Sequence, residues 1–95
     1  MRKYEIMYII QPTLDEASIK KIADDTKSIL TKNKAKVVEE KDMGQKDLAY
    51  EINKHGKGYY FFYVVESDPF AISEFNRLTN VNENILRTLV VKIED

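Results

Sequence analysis

The order in which strand-like and helix-like patterns follow one another along the chain constrains its fold more than any other feature. Two stretches, residues 19–30 and 72–79, carry apolar residues at three- and four-residue spacings, which is typical of amphipathic helices. Four other stretches are rich in Tyr, Ile, Val and Phe, which favour strands: KYEIMYII, AKVVEE continuing into LAYEI, GYYFFYVV and RTLVVKI. The sequence therefore predicts the order strand, helix, strand, strand, helix, strand.

Capping residues indicate where the two helices begin. Thr13 followed by Glu16 has the spacing of a capping box, so we expect the first helix to begin there. Asp68 followed by Pro69 predicts the start of the second helix, because an aspartate cap and a proline in the first helical position suit the same geometry.

The second and third strands are predicted to form a hairpin. Gly44, within the polar interruption at residues 42–47, predicts a bulge in one long second strand. The segment NKHGKG, residues 53–58, predicts the connection to the third strand. The six elements in this order predict an α+β, ferredoxin-like fold, βαββαβ, in which two helices cover one face of a four-stranded antiparallel sheet. The other face is then left open.

Length and composition limit the class of protein. A chain of 95 residues has material for one modest core, so we expect a single domain over residues 1–95. Cysteine is absent, which excludes disulfides and thiolate chemistry. The segment MRKYEIMYII is not followed by a signal-peptide cleavage site, and no run reaches the roughly twenty apolar residues of a membrane span. We therefore expect a cytoplasmic protein with no membrane partner.

Residues that could carry catalysis are sparse. The single histidine, His55, lies in the hairpin connection without a carboxylate cluster beside it, so we interpret it as a solvated turn residue. The chain has no phosphate loop, nucleophile elbow or zinc motif. Small acyl phosphate hydrolases share this size and strand order, but residues 5–20 contain neither the glycine nor the arginine of their anion loop. We expect no catalytic residue, metal, cofactor or small-molecule substrate.

The first strand indicates which face of the sheet is the core. Burying Glu5 without a partner would be costly, so the even-numbered residues of this strand should face the helices. They are Tyr4, Ile6, Tyr8 and Ile10. The third and fourth strands are apolar on both sides, so their pattern assigns neither side to the core. On both strands, the residues that point away from the helices add to Met7 and Ile9 and form an apolar patch on the open face. Such an exposed patch implies a docked partner.

The stretch KGYYFFYV partly matches the RNA-recognition-motif strand, written K/R-G-F/Y-G/A-F-V-x-F/Y. In that motif the aromatic residues stack bases on the open face. The same arrangement here would turn Glu5 inward, so we predict that Tyr59 and Phe61 are core and that Tyr60 and Phe62 lie on the open face. We keep two alternative functions for the chain: a free-standing RNA-binding protein of this type is the first, and a small acyl phosphate hydrolase is the second.

The segment GQKDLAYEIN, residues 44–53, resembles the signature of one family, that of the sixth protein of the bacterial small ribosomal subunit. That signature is Gly, any residue, basic, polar, Leu, Ala or Ser, Tyr, any residue, Ile, and a basic or small polar residue. The resemblance extends to MRKYE, GYY and NILRTLVVK, so it covers nearly the whole chain. Met43 stands where this family often has Trp, and Gln45 stands where a basic residue is usual, which lowers the positive charge of that hairpin.

The resemblance implies a ferredoxin-like fold and assembly into the small ribosomal subunit. It also implies binding to the central domain of 16S rRNA together with the eighteenth small-subunit protein. The residues that we expect at the RNA, by family position or by strand end, are Arg2, Lys3, Lys46, Lys54, Arg87 and Lys92. The residues that we expect at the protein neighbour are Met7, Ile9, Tyr60, Phe62, Val64, Leu89 and Val91. A net charge of −1 leaves RNA contact to local patches of cations.

Overall fold

The predicted element order and fold are confirmed by a computed structural model of the chain, which describes residues 2–52 and 54–94. Its elements are β1 (Arg2–Ile10), α1 (Glu16–Lys32), β2 (Lys36–Ile52), β3 (His55–Ser67), α2 (Pro69–Asn80) and β4 (Ile85–Glu94). The strands form one antiparallel sheet in the order β2-β3-β1-β4. Within the described residues, neither helix is long and apolar enough to cross a membrane.

The first strand lies in the middle of the sheet, and its side chains alternate between the two faces as predicted. Tyr4 is 6% exposed, and Ile6, Tyr8 and Ile10 are fully buried against the helices. Glu5 points to the other face and is half-buried. The prediction that the carboxylate turns away from the helices is confirmed.

Aromatic rings from β1, β3 and α2 form the centre of the core. The rings of Tyr8 and Phe61 are stacked with their centroids 5.4 Å apart, and Phe75 meets Tyr8 edge-on at 6.3 Å. Phe61 is 7% exposed, and Tyr59 packs against the same core. The predicted orientation of the third strand is therefore confirmed, and the two rings that would stack RNA bases in an RNA-recognition motif are turned toward the helices.

Three buried hydroxyl groups tie α1 to the sheet. The Tyr8 and Tyr63 hydroxyl oxygens are 2.7 Å apart, and Thr26 Oγ1 lies 2.9 Å from the Tyr8 oxygen. The Ala23 carbonyl accepts hydrogen bonds from Thr26 at 2.8 Å and from Tyr63 at 3.2 Å. Burial raises the pKa of both Tyr8 and Tyr63 above the ordinary value of 10.0, because it disfavours the phenolate.

The start of the first helix differs from the prediction. The N-cap is Asp15, whose side chain accepts a hydrogen bond from the Ser18 amide at 3.0 Å, and α1 begins at Glu16. Thr13 instead donates a hydrogen bond from its hydroxyl to the Gln11 side chain at 2.9 Å, and it lies two residues before the cap. The prediction for the second helix is confirmed, since Asp68 caps α2 and Pro69 is its first residue.

The bulge and the hairpin are both present as predicted, but the connection in the hairpin is shorter than predicted. Gly44 has a φ of +75° and lies at a register shift of β2, as predicted. The predicted six-residue connection is too long, because β-pairing continues to Ile52 opposite His55. Lys54, at a φ of 68°, forms the turn, and Asn53 lies outside the described residues.

Candidate functional site

The face of the sheet opposite the helices is a surface of apolar side chains, called the open face below. The cross-strand register aligns them in rows, with Phe62 opposite Met7 and Met7 opposite Leu89. Tyr60 lies in a neighbouring row opposite Ile9. The core of the chain lies on the other side of the sheet, so the helices leave these rows uncovered.

The structure settles the orientation of the last strand, which its pattern left undecided. Leu89 and Val91 point to the open face and are 47% and 45% exposed. Val90 packs against the core, and Thr88 lies 3.3 Å from Thr79 of α2 through their side-chain oxygens. Leu89 and Val91 therefore extend the apolar surface on this face. Its other members are each half-buried: Met7, Tyr60, Phe62 and Val64.

The tip of the β2–β3 hairpin bends over one end of the open face. Gly58 permits this approach, because a Cβ there would collide with Ile9 and would lie 3.5 Å from Leu48. Ile9 is consequently only 5% exposed. Of the residues expected at the protein neighbour, Ile9 is thus largely covered by the chain's own hairpin.

A cleft of about 200 Å³ separates the hairpin tip from the sheet. Sheet residues line one side of it, and the hairpin lines the other with Leu48, Ala49, Tyr50 and Ile52. The Arg87 guanidinium donates a hydrogen bond to the Tyr50 hydroxyl at the same place. Sequence reasoning missed this part of the site, although the alternation of Leu48, Tyr50 and Ile52 was a usable signal of an apolar side on the hairpin.

The cations expected at RNA fall into two groups at opposite ends of the sheet. Arg2, Lys3 and Lys92 lie at the start of β1, where Arg2 is opposite Ser67 and Lys92 is opposite Tyr4. Arg87 is opposite Ile9 at the other end, near the hairpin that carries Lys46 and Lys54. Seven residues of β1 separate these ends, which is about 23 Å at about 3.3 Å per residue.

Arg2 and Arg87 also differ in the face from which they project. Arg2 has the parity of Tyr4 and so lies on the helix side, whereas Arg87 shares the open face with Ile9. Arg2, Lys46, Lys54, Arg87 and Lys92 are exposed, and Lys3 is half-buried. One phosphate group therefore cannot contact both arginines.

The shifted pKa values occur on the helix side of the sheet and have structural causes. A hydrogen bond to Asp42, 3.0 Å from the Tyr59 hydroxyl, raises the pKa of Tyr59. A hydrogen bond to Glu40 raises the pKa of Lys27, whose Nζ lies 2.9 Å from that carboxylate. Hydrogen bonds from Ser18 lower the pKa of Asp15 at the helix cap. These groups stabilise local structure on the helix side of the sheet.

Comparisons with known proteins agree on one family. The family model described as "Ribosomal protein S6" matches residues 3–92. The small ribosomal subunit protein bS6 of Halalkalibacterium halodurans is 48% identical over 95 residues, which cover 100% of both chains. That of Phytoplasma australiense is 45% identical over 92 residues, covering 97% of this chain and 99% of the relative.

A solved structure agrees as well. The crystal structure of 30S ribosomal protein S6 from Thermotoga maritima is similar with a TM-score of 0.93 and 28% sequence identity, covering 97% of this chain and 87% of that one. The resemblance in the signature GQKDLAYEIN is thereby confirmed over nearly the full length. The chain belongs to the ribosomal protein S6 family, whose members are structural rather than enzymatic components of the ribosome.

Proposed function

We propose that this chain acts as one domain in the bacterial small ribosomal subunit, where it binds the central domain of 16S rRNA together with the eighteenth small-subunit protein. Its role is structural, and its place is the cytoplasmic ribosome. The observation that carries the proposal is the open face, an apolar surface that the domain's own helices leave uncovered.

A protein neighbour suits the open face better than RNA does. Phe62, Met7 and Leu89 form one continuous apolar row, and the core of a protein interface is depleted of charge and enriched in aromatic residues and Met. Base stacking as in an RNA-recognition motif would instead need the rings of the motif's stacking positions on the open face. The rings in the stacking positions of an RNA-recognition motif, Tyr59 and Phe61, face the helices.

The RNA is then contacted at the ends of the sheet, where the predicted cations lie. Phosphate contacts come mainly from Arg and Lys and fix the position of a protein on RNA without reading its sequence. The net charge of −1 gives little general attraction, so the free chain should bind RNA weakly and more firmly when the protein neighbour is present.

Two phenylalanine-to-lysine variants test the use of the open face. Phe62→Lys places a charge at its centre, beside Lys41, whose Nζ lies 6.0 Å from the Phe62 ring centroid. We expect it to weaken binding of the eighteenth small-subunit protein about tenfold or more, because aromatic anchors dominate interface energies. Phe70→Lys is the matched control, since Phe70 is 63% exposed on α2, on the helix side.

The readout is retention on small ribosomal subunits through a high-salt wash, with thermal unfolding of each free variant alongside. We expect the unchanged chain and Phe70→Lys to stay with the subunits and Phe62→Lys to be lost. Equal retention of both variants would contradict the proposed face. Failure of the unchanged chain to sediment with the subunits would contradict the assignment as a whole.

A further inference from the structure

One carboxylate lies inside the apolar surface of the open face. Glu5 is opposite Val64 of β3 and Val91 of β4, and Met7 follows two residues later on the same side of β1. The Glu5 side chain is half-buried and makes no hydrogen bond or ion pair with any residue in the ranges 2–52 and 54–94. It is an unpaired charge with valine on either side.

Two other charges on the open face, Glu39 and Lys3, lie toward its margins and have a charged residue beside them. Glu39 lies opposite Val64 on the edge strand β2, and its carboxylate is 3.4 Å from Lys41 Nζ. Lys3 is opposite Glu66 in the next row. Glu5 differs from them in lying between two valines, and Lys3, two residues before it on the same side of β1, makes no ion pair with it.

We infer that the protein covering the open face brings an arginine or lysine side chain to Glu5. The inference rests on the proposed function, since it requires that a protein covers this face. Covering removes water from the carboxylate, and an ionised carboxylate away from water needs a charged, hydrogen-bonding partner. The described part of this chain places no such partner at Glu5, so the neighbour must supply it.

The same carboxylate disfavours RNA at the centre of the face, because it repels phosphate. Val64 and Val91 would shield the ion pair from water and so strengthen it. The pair would also fix how the neighbour is placed along the apolar rows, since sliding by one row would separate the charges. Glu5 is thus a residue that determines which protein fits this surface and in what register.

The test compares Glu5→Gln, Glu5→Leu and the unchanged chain in calorimetric titrations with the purified eighteenth small-subunit protein. We expect Glu5→Gln to weaken binding roughly thirtyfold or more, because the neighbour's cation would be buried without its counter-charge. Glu5→Leu should weaken binding at least as much. Glu39→Gln is the matched control, with the same chemical change in the same row, and should change affinity less than about fivefold because its ion pair is exposed.

Each outcome has a separate meaning. The free Glu5→Gln variant should unfold at the same temperature as the unchanged chain, since Glu5 has no hydrogen bond or ion pair to lose there. Unchanged affinity in Glu5→Gln would overturn the ion pair. Tighter binding in Glu5→Leu would also overturn it, because an apolar residue removes the cost of burying a carboxylate that has no partner. Failure of the unchanged chain to bind would overturn the proposed partner itself, and this inference with it.

Discussion

At the scale of single residues, the buried hydroxyl groups show what a strand pattern can and cannot reveal. The alternation around Glu5 was enough to place Tyr8 in the core. It could not reveal that the Tyr8 hydroxyl meets Tyr63 and Thr26, because those contacts join three elements that are far apart in sequence. Every buried side-chain polar atom in the described residues has a hydrogen-bond partner, and the three hydroxyls of this cluster are partners of one another.

Tyr63→Phe tests this cluster. It removes the hydroxyl that lies 2.7 Å from the Tyr8 hydroxyl, and so leaves the buried Tyr8 hydroxyl with fewer hydrogen-bond partners. We expect the free energy of unfolding, measured in urea, to fall by about 1–2 kcal/mol. Tyr60→Phe, on the open face, should change it by less than about 0.5 kcal/mol. Equal effects of the two variants would contradict a structural role for the buried hydroxyl.

The same variant should change the response to alkaline pH. The folded pKa of Tyr63 and of Tyr8 is raised above 10.0, so above this pH the unfolded chain loses protons that the folded chain keeps. Unfolding then becomes easier as pH rises, and stability present below pH 10 is lost above it. In Tyr63→Phe the slope of the free energy of unfolding against pH, measured in urea, should be flatter by up to about 1.4 kcal/mol per pH unit.

At the scale of secondary-structure elements, local signals predicted each element but not all of its limits. Thr13 and Asp15 are both residue types that cap helices, and local sequence does not decide between them. In the structure the Asp15 side chain accepts from the Ser18 amide, and Thr13 lies two residues before this cap. The choice depends on the path of the loop that leaves β1, where the Gln11 amide donates to the Asn84 carbonyl at 2.9 Å.

The hairpin tip could not be placed from its pattern, for a related reason. β2 has register shifts between Val37 and Glu39, between Asp42 and Gly44, and again beyond Asp47. Each inserted residue turns the following side chains to the opposite face. Alternation within LAYEI therefore identified an apolar side but not the face of the sheet that it covers.

Gly44→Ala tests the bulge that Gly44 was predicted to form. Its φ of +75° suits glycine, while a Cβ there would meet nothing within 4 Å. The substitution should therefore lower the free energy of unfolding by about 1 kcal/mol through backbone strain alone. Gly56→Ala is the control, with equally open space and no positive φ. Urea unfolding measures both, and equal stability of the two variants would contradict strain at Gly44.

At the scale of the whole molecule, the open face follows from the sheet order more than from any one strand. The last strand offers Leu89 and Val91 on one side and Val90 on the other, and only its pairing with β1 decides between them. The family resemblance, with the strand ends, predicted which cations contact RNA, but no pattern in the sequence shows that these cations form two groups. That separation depends on how β1, β4 and the hairpin are aligned.

The two groups of cations allow a test of how the RNA lies on the protein. Arg2 and Arg87 are about 23 Å apart along the strand direction, too far to share one phosphate, so their effects on RNA binding should add. With the eighteenth small-subunit protein present, each alanine substitution should weaken binding to a central-domain fragment of 16S rRNA and lower the salt slope by about 1. Arg2→Ala combined with Arg87→Ala should lower the slope by about 2.

Lys20→Ala, on the exposed side of α1, is the control and should leave both quantities unchanged. Filter binding at several salt concentrations measures the slope. A double variant no weaker than Arg87→Ala alone would confine the RNA to the hairpin end. An RNA that follows the open face between the two ends would instead pass over Glu5 and the apolar rows, which the protein neighbour is proposed to cover. Additive effects at both ends therefore require the RNA to run around the margin of that neighbour.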